Sequence, residues 1–329
     1  MRRIGLPLAV LAGCGNSLPP PGQCAAPAAT GDATVVAVQL VHATVGFDDL
    51  RYAPDLGMVI AAPEGFGQVF LIDPDSLAVT AITAPRGIAS ADAKAGLIYA
   101  ADRANDQIVI VDVATQAVTT FALDAGVDYV RTSPTTDEVW VTMPGAGRVE
   151  VLAIAGTSLT KVGSISVGDP EGLVFDGQGR AYTQSSGNLV AIDVAARSVV
   201  GDWSTGCGGS HGFPQTDPAF GLAVAGCADN GGAEVFTADG QSRGGIEAGG
   251  GRAILAYNPT LHHLYLRGDG ASTLDVIGVC SDGGMSTLAQ VTIPAFGHGA
   301  TADDRGHAWV CDPASGGVVR VTDPFGATM

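Results

Sequence analysis

The chain has 329 residues, of which 46% are hydrophobic and 15% charged, and its formal net charge at pH 7 is −17. An acidic protein repels phosphate backbones, and no basic stripe offsets this charge, which argues against nucleic acid as a partner. No apolar run reaches the roughly 18 residues that a membrane-spanning helix needs. The 47 glycines are spread along the chain, which is typical of an all-β protein with many turns.

The first residues have the composition of a signal peptide. Two arginines precede a short apolar stretch over residues 4–12, and small residues lead up to Cys14. Residues 11–14, LAGC, resemble the lipobox of bacterial lipoproteins, in which the leader is cleaved before a cysteine that then carries diacylglycerol. We therefore expect a signal peptide over residues 1–13 and lipidation at Cys14. A secretory signal without lipid is the alternative.

The next segment predicts a flexible tether over residues 14–33. It is rich in Pro, Ala and Gly and has no hydrophobic period. Acyl chains on Cys14 would then be the only attachment to a bacterial membrane. Gly15 differs from the inner-membrane retention signal of enteric bacteria, which favours the outer membrane, facing the periplasm or the cell surface. Cys24 has no evident partner.

From residue 34 onward the chain repeats one unit. Residues 57–79, 96–118 and 179–200 each read as a glycine, a β-rich run, a polar turn, a second run that ends in Asp, and a third run. The first strands of successive units begin at seven places, 38 to 46 residues apart: 48, 86, 128, 171, 211, 252 and 298. A period of about 42 residues with four strands per unit predicts a seven-bladed β-propeller.

The two ends of the chain are predicted to share one blade. The last unit supplies only three strands, whereas the segment Thr34–His42 is strand-like and lies ahead of the first unit. Pairing this segment into the C-terminal blade would close the ring and remove two open edges. We therefore predict one all-β domain over residues 34–329, a seven-bladed β-propeller with four-stranded blades.

The repeat resembles a known kind of propeller. Residues 96–118, with their segments YAAD and QIVIVDVATQAV, are similar to the YVTN or NHL-type repeats of YncE-like bacterial extracytoplasmic propellers. The resemblance covers about residues 34–325 of this chain. It implies the propeller fold and export from the cytoplasm. Propellers of this kind include scaffolds, sensors and a few enzymes, so the resemblance does not determine an activity.

The cysteines predict disulfides. Residues 206–227 resemble a blade of the same family in which two cysteines bracket the first two strands. Cys207 and Cys227 fall almost opposite one another across the predicted hairpin, and export permits a bond between them. A second bond is predicted between Cys280 and Cys311, because both lie toward the same rim. The chain has no CxxC pair, which argues against zinc.

Each unit opens its first strand with a polar or charged residue: Asp48, Arg86, Asp128, Glu171, His211, Arg252 and His298. Since the first strands of a propeller line its central channel, these residues are predicted to form one ring at a channel mouth. Ionisable side chains that converge on a concave surface indicate binding or catalysis. A water-filled channel also needs a polar lining without any ligand, and the sequence leaves both interpretations open.

We predict a membrane-anchored binding or protein-interaction module that takes its ligand at this mouth, and no cofactor. The ligand would be a small molecule, a peptide or a cell-envelope protein. The two arginines of the ring would attract an anionic group, and its three carboxylates would orient polar groups.

An enzyme is the alternative prediction. It would be a metal-dependent lyase or lactonase resembling virginiamycin B lyase or gluconolactonase propellers, with one divalent ion in the channel and His211 or His298 as general base. The lyase family carries a Glu-x-His pair, and none of the six glutamates here begins one. The lactonase family uses a channel Asn that this ring lacks.

Overall fold

The computed structural model describes residues 18, 20–207, 209 and 212–329. Within this part of the chain, 28 strands form seven four-stranded antiparallel sheets. The innermost strands of neighbouring sheets contact one another in chain order, and the last contacts the first. The protein is therefore a seven-bladed β-propeller, as predicted. One turn of 3-10 helix, Pro144–Ala146, interrupts the strands, and no described helix could cross a bilayer.

The strands of the first four blades run outward from the channel in chain order. Blade 1 contains β2 (Leu50–Ala53), β3 (Met58–Ala61), β4 (Gln68–Ile72) and β5 (Val79–Thr83). Blade 2 contains β6 (Ile88–Lys94), β7 (Leu97–Asp102), β8 (Gln107–Asp112) and β9 (Val118–Ala122). Blade 3 contains β10 (Val130–Thr132), β11 (Glu138–Met143), β12 (Arg148–Ala155) and β13 (Ser158–Ser166). Blade 4 contains β14 (Glu171–Phe175), β15 (Arg180–Ser185), β16 (Asn188–Asp193) and β17 (Ser198–Ser204).

The remaining blades follow the same order, except that blade 7 takes its outer strand from the N-terminal region. Blade 5 contains β18 (Gln215–Asp217), β19 (Leu222–Gly226), β20 (Gly232–Thr237) and β21 (Ser242–Glu247). Blade 6 contains β22 (Ala253–Asn258), β23 (His263–Gly268), β24 (Thr273–Val279) and β25 (Met285–Thr292). Blade 7 contains β26 (Ala300–Ala302), β27 (His307–Asp312), β28 (Gly317–Thr322) and β1 (Val35–Gln39).

The N-terminal strand closes the ring. β1 pairs antiparallel with β28, in a register that runs from Val35 opposite Val321 to Gln39 opposite Gly317. This confirms the predicted closure, although the strand occupies only the middle of the segment Thr34–His42. The pairing covers the edge of β28 that would otherwise be open and gives the C-terminal blade its fourth strand.

The Asp that recurs at the end of the third strand in blades 1, 2 and 4 forms a turn. In blade 1, the carboxylate of Asp73 accepts backbone N–H bonds from Asp75 and Ser76 at 2.9 and 2.8 Å. The carboxylate of Asp112 accepts the equivalent bonds in blade 2, from Ala114 and Thr115 at 3.0 and 2.9 Å. A short acidic side chain can replace a missing backbone partner in this way. The repeated Asp therefore has a structural role in a turn and is not a catalytic carboxylate.

The hydrophobic core lies between neighbouring blades. The second and third strands of each blade are almost entirely buried, whereas outer strands such as β5 and β9 expose most of their residues. Trp140 and Trp309 are fully buried. The indole of Trp309 donates to Asp303 at 2.8 Å, and Asp303 also bonds the imidazole of His307. The polar groups buried around Trp309 are thus paired.

Part of the segment predicted as a flexible tether is bound to the propeller. Its described part lies along blades 5 to 7, and we call residues 20–33 the strap. The carbonyl of Gly22 accepts the backbone N–H of Met285 at 2.8 Å, and the N–H of Thr30 donates to Pro324 at 2.7 Å. Only the residues before the strap could act as a tether, and they include Cys14, which lies outside the described residues.

The disulfides agree with the prediction at one pair and differ at the other. Cys207 and Cys227 are bonded, as predicted. Cys280 is bonded to Cys24 of the strap and not to Cys311, so the predicted Cys280–Cys311 pair is wrong. Cys311 lies on β27 within the core between blades 7 and 1 and remains a buried free thiol.

Candidate functional site

Five residues of the predicted ring line one cavity of about 520 Å³, at the end of the channel where the first strands begin. They are Asp48, Asp128, Glu171, Arg252 and His298. We call this cavity the upper mouth. Its other described lining residues come from the segments between strands: Gly46, Phe47, Glu64, Arg103, Tyr129, Phe296 and Pro313.

Of the other two residues of the predicted ring, one lies elsewhere and one is not described. Arg86 is exposed and is not part of the lining, and its carbonyl accepts the backbone N–H of Gly65 at 3.2 Å. His211 lies outside the described residues.

Arg103 takes the place in the mouth that was predicted for Arg86. It follows β7 in the hairpin of blade 2, and its backbone N–H donates to the carbonyl of Gly87 at 2.9 Å. A Cβ atom on Gly87 would lie 2.0 Å from a carboxylate oxygen of Asp102, so only glycine lets the hairpin fold over the first strand. In the sequence, the glycine next to Arg86 was the only sign that a hairpin could fold over the first strand here. A comparison of the residues that open each first strand does not reveal Arg103.

Arg103 links two carboxylates across the mouth. Its guanidinium forms ion pairs with Asp48 of blade 1 and Asp128 of blade 3. Asp48 also lies 3.4 Å from Nδ1 of His298 in blade 7. Burial by itself would raise the pKa of Asp48, but its hydrogen bonds with His298 and Arg103 outweigh burial and hold the pKa below its usual range.

Glu171 has a different environment from Asp48. Burial, together with the nearby carboxylates Asp128 and Asp169, raises the pKa of Glu171 to about 7. Burial likewise raises the pKa of Asp128 to about 6, although Arg103 opposes this effect. None of the ion pairs among the described residues includes Glu171. The mouth therefore contains a carboxyl group that titrates near neutral pH and lacks a described cationic neighbour in contact.

Aromatic rings form the floor of the upper mouth. The ring of Tyr129 lies between two guanidinium groups, with its centroid 5.7 Å from Cζ of Arg103 and 5.8 Å from Cζ of Arg131. Phe213 meets Tyr129 edge to face at 5.5 Å and His298 at 5.4 Å. These distances are typical of favourable cation–π and aromatic contacts. The floor is therefore a packed layer that holds the ionisable groups in place.

A buried ion pair lies beneath this floor. Arg131 donates to the two carboxylate oxygens of Asp49 at 2.7 and 3.0 Å, and both residues are almost completely buried. The hydroxyl of Ser90 donates to the same carboxylate at 2.6 Å. Because these three residues come from blades 1, 2 and 3, they join three inner strands. A second cavity opens below the pair, and none of its described lining residues also lines the upper mouth.

Phe296 is an exposed aromatic residue at the edge of the mouth. The residue is 77% exposed to solvent, and its backbone has φ = +61°, in the left-handed region. That conformation is unfavourable for a bulky residue and occurs often at ligand sites. An apolar surface in this position is suited to contact with a ligand that also reaches the ionisable groups.

The described residues do not form a metal site. No group of three or more His, Cys, Asp and Glu side chains in this part of the chain is arranged to hold an ion. Asp48 and Asp128, which carry two of the three ring carboxylates, are both paired with Arg103. A divalent ion between them would have to displace that guanidinium.

Comparisons with known proteins support the fold only. No family model and no curated protein matches the chain. It is similar in structure to Kuenenia stuttgartiensis hydrazine synthase, with 14% identity, a TM-score of 0.72 and coverage of 87% of this chain and 98% of that one. It is also similar to virginiamycin B lyase from Staphylococcus aureus, with 11% identity, a TM-score of 0.71 and coverage of 89% and 100%.

The WD40 repeats of RRP9 are a third similar structure, with 12% identity, a TM-score of 0.74 and coverage of 91% of this chain and 99% of that one. The names of these neighbours include enzymes and a repeat domain. At such low identity the similarity is one of fold, and a propeller fold carries many unrelated functions. The class of this protein is a seven-bladed β-propeller, and its function has to be argued from its own residues.

Proposed function

We propose that this protein is an exported binding module, anchored to a bacterial membrane by lipid on Cys14, that takes a ligand with a positively charged group at its upper mouth. The leader sequence and the two disulfides support export, because disulfides persist in oxidising compartments. The ligand would be a small amine or a basic side chain of a cell-envelope protein.

The charges of the upper mouth support a cationic ligand. The sequence predicted an anionic group near two arginines, but Arg86 is not part of the lining. The described residues of the mouth include four carboxylic residues, two arginines and one histidine. One of these arginines, Arg103, is already held by Asp48 and Asp128. A ligand cation would therefore find more negative than positive charge.

The environment of the Glu171 carboxyl is the observation that carries this proposal. This carboxyl lines a concave cavity, and its raised pKa reports that burial and the nearby carboxylates disfavour the negative charge. An ammonium or guanidinium group would supply the missing counter-charge. The exposed ring of Phe296 lines the same cavity and can contact the apolar part of such a ligand.

The proposal can be tested with two probes of the same shape. Phenethylamine carries the positive charge and 2-phenylethanol does not, and both can be titrated by NMR or calorimetry at pH 8. We expect the amine to bind and the Glu171→Gln variant to weaken its binding at least tenfold. The Glu247→Gln variant, on the exposed outer strand of blade 5, is the matched control and should bind as the wild type does.

The pH dependence of amine binding gives a second readout. Because the pKa of Glu171 is about 7, its negative charge is largely absent at pH 6 and present at pH 8. Amine binding should strengthen over this interval, and the increase should be lost in Glu171→Gln. Equal binding of amine and alcohol, or an amine affinity that the variant does not change, would contradict the proposal.

The second candidate function is a lyase or lactonase at the same mouth. Glu171 and Asp128, with pKa values of about 7 and about 6, are suited to general acid–base catalysis near neutral pH. The metal-dependent form of this candidate has no support among the described residues and would need His211. Metal analysis of the purified protein and of His298→Ala distinguishes the two: stoichiometric metal that the variant loses favours the enzyme.

A further inference from the structure

We propose that the opposite end of the channel is a second and separate binding site, which takes an apolar monocarboxylate whose carboxylate group is bound by Arg51. A cavity of about 510 Å³ opens there, below the buried pair of Arg131 and Asp49. This volume lies within the range of small-molecule sites, about 300 to 1,000 Å³. We call it the lower cavity.

The walls of the lower cavity differ in chemistry. Blades 1 to 3 contribute its cationic side chains: Arg51, Lys94 and Arg131. Blades 4 to 6 contribute apolar and aromatic side chains: Leu173, Phe175, Phe213, Pro214 and Tyr257. A ligand that fits both walls has an apolar body and a negatively charged end.

Arg51 has hydrogen-bond donors available to such a ligand. Its side chain is 32% exposed, and its Nε donates to Asp92 at 3.1 Å. Its two terminal nitrogens form no hydrogen bond with any described residue. Asp92 is itself fixed by the backbone N–H of Thr132 at 2.9 Å. The guanidinium is therefore held in place by one edge, which leaves other N–H groups to bind a carboxylate.

The other two cations of the wall have their donors occupied. The ammonium of Lys94 donates to the carbonyls of Ser133 and Thr136 and lies 3.4 Å from a carboxylate oxygen of Asp137. Arg131 donates to Asp49, Ser90 and a backbone carbonyl. Arg51 is thus the cation of this wall best able to bind an added anion.

Aspartates at the lower cavity limit the charge of the ligand, and prolines make its lining rigid. Five aspartates are among its described lining residues: Asp55, Asp92, Asp176, Asp303 and Asp304. Asp92 is paired with Arg51 and Asp303 with His307, and the carboxylates of the other three disfavour an anion with two or more charges. Five prolines are also among the cavity's described lining residues: Pro54, Pro134, Pro214, Pro218 and Pro259. Proline fixes its own backbone angle, so these turns lose little entropy when a ligand binds. A single carboxylate is the anion that fits.

The test uses phenylacetate as the probe, with 2-phenylethanol as its uncharged match. We expect phenylacetate to bind the wild type and to lose at least tenfold in affinity in Arg51→Gln. Arg243→Gln, on the exposed outer strand of blade 5, removes the same charge elsewhere and should leave binding unchanged. If Arg51→Gln does not fold, Arg51→Lys keeps the charge without the planar donor pair, and its binding should be intermediate or lost.

Binding at the lower cavity should be independent of binding at the upper mouth, so the two proposals can be tested separately. Phenethylamine should not compete with phenylacetate, and Glu171→Gln should leave phenylacetate binding unchanged. The proposal is overturned if phenylacetate does not bind, if the alcohol binds equally well, or if folded Arg51 variants bind phenylacetate like the wild type. If only the amine fails to bind, the proposed function of the upper mouth is contradicted and the proposal for the lower cavity stands.

Discussion

At the scale of single residues, Glu171 combines burial with nearby negative charge. Its pKa in the folded protein is about 7, against a usual value of 4.5. A carboxyl whose folded pKa is raised contributes stability below its unfolded pKa, and this contribution is lost as the pH rises through the folded pKa. Ionisation of Glu171 should therefore destabilise the protein between about pH 4.5 and 7.

The first prediction concerns Glu171→Gln, which imitates the protonated side chain. The variant should match the wild type in free energy of unfolding at pH 4.5 and exceed it at pH 8 by about 1 to 2 kcal/mol, a figure already reduced for partial exposure. Urea unfolding at the two pH values measures this difference. Glu247→Gln should show no such pH-dependent gain. If the free energy of unfolding of Glu171→Gln also equals that of the wild type at both pH values, the raised pKa of Glu171 is contradicted.

The buried pair beneath the mouth leads to the second prediction. Replacing Arg131 with Met removes one partner and leaves the Asp49 carboxylate in the channel without its counter-charge. The free energy of unfolding should fall by about 3 to 5 kcal/mol. Arg305→Met, which breaks exposed ion pairs with Asp75 and Asp304, should change it by less than about 1 kcal/mol. Equal effects would show that the Arg131 pair is not buried.

The sequence predicted much of the mouth at this scale because one residue at the start of each inner strand faces the channel. That rule places Asp48, Asp128 and Glu171 correctly. It fails for Arg86, because Arg103 reaches the mouth from a hairpin that folds over Gly87. A side chain that arrives from a loop has no fixed position in the repeat, so periodicity cannot predict it.

At the scale of elements, the strap is the part that sequence analysis described least well. Besides the Cys24–Cys280 disulfide, its contacts include backbone hydrogen bonds and close approach to glycines, and none of these produces a hydrophobic period. A Cβ atom on Gly244 of β21, for instance, would lie 2.8 Å from the carbonyl oxygen of Pro20. The strands, by contrast, were predictable because alternation and turn residues recur along the chain, and capping Asp side chains form the turn after the third strand in blades 1, 2 and 4.

The third prediction tests the strap. The double variant Cys24→Ser with Cys280→Ser removes a bond that joins residues 256 positions apart, and should lower the free energy of unfolding by about 2 to 4 kcal/mol. Hydrogen exchange should accelerate at the Met285 amide, which donates to Gly22, and remain slow in β27. Unchanged exchange at Met285 would mean that the disulfide does not hold the strap.

At the scale of the whole molecule, the two ends of the chain complete one blade. β1 is the only described strand that leaves chain order, and its pairing with β28 turns an open array of sheets into a ring. Ring closure also aligns the inner strands, so the five predicted residues of the upper mouth converge only if the ring is complete. The period of the repeat was sufficient to predict this architecture, since it counts the blades.

The fourth prediction concerns ring closure. A chain that begins at residue 43 lacks β1 and exposes the edge of β28, so it should unfold at a lower temperature and self-associate through that edge. A chain that begins at residue 18 keeps the strap and β1, and should remain monodisperse with the wild-type unfolding temperature. Calorimetry and sedimentation measure both properties. Identical behaviour of the two chains would contradict the role of β1.

The most direct test of the binding account is a crystal structure of the protein grown with phenethylamine. The account predicts the ammonium group within hydrogen-bonding distance of the Glu171 carboxylate and the phenyl ring near Phe296, above an intact ion pair between Arg131 and Asp49. Phenethylamine in the lower cavity, or at no defined position while Glu171 is ionised, would contradict it.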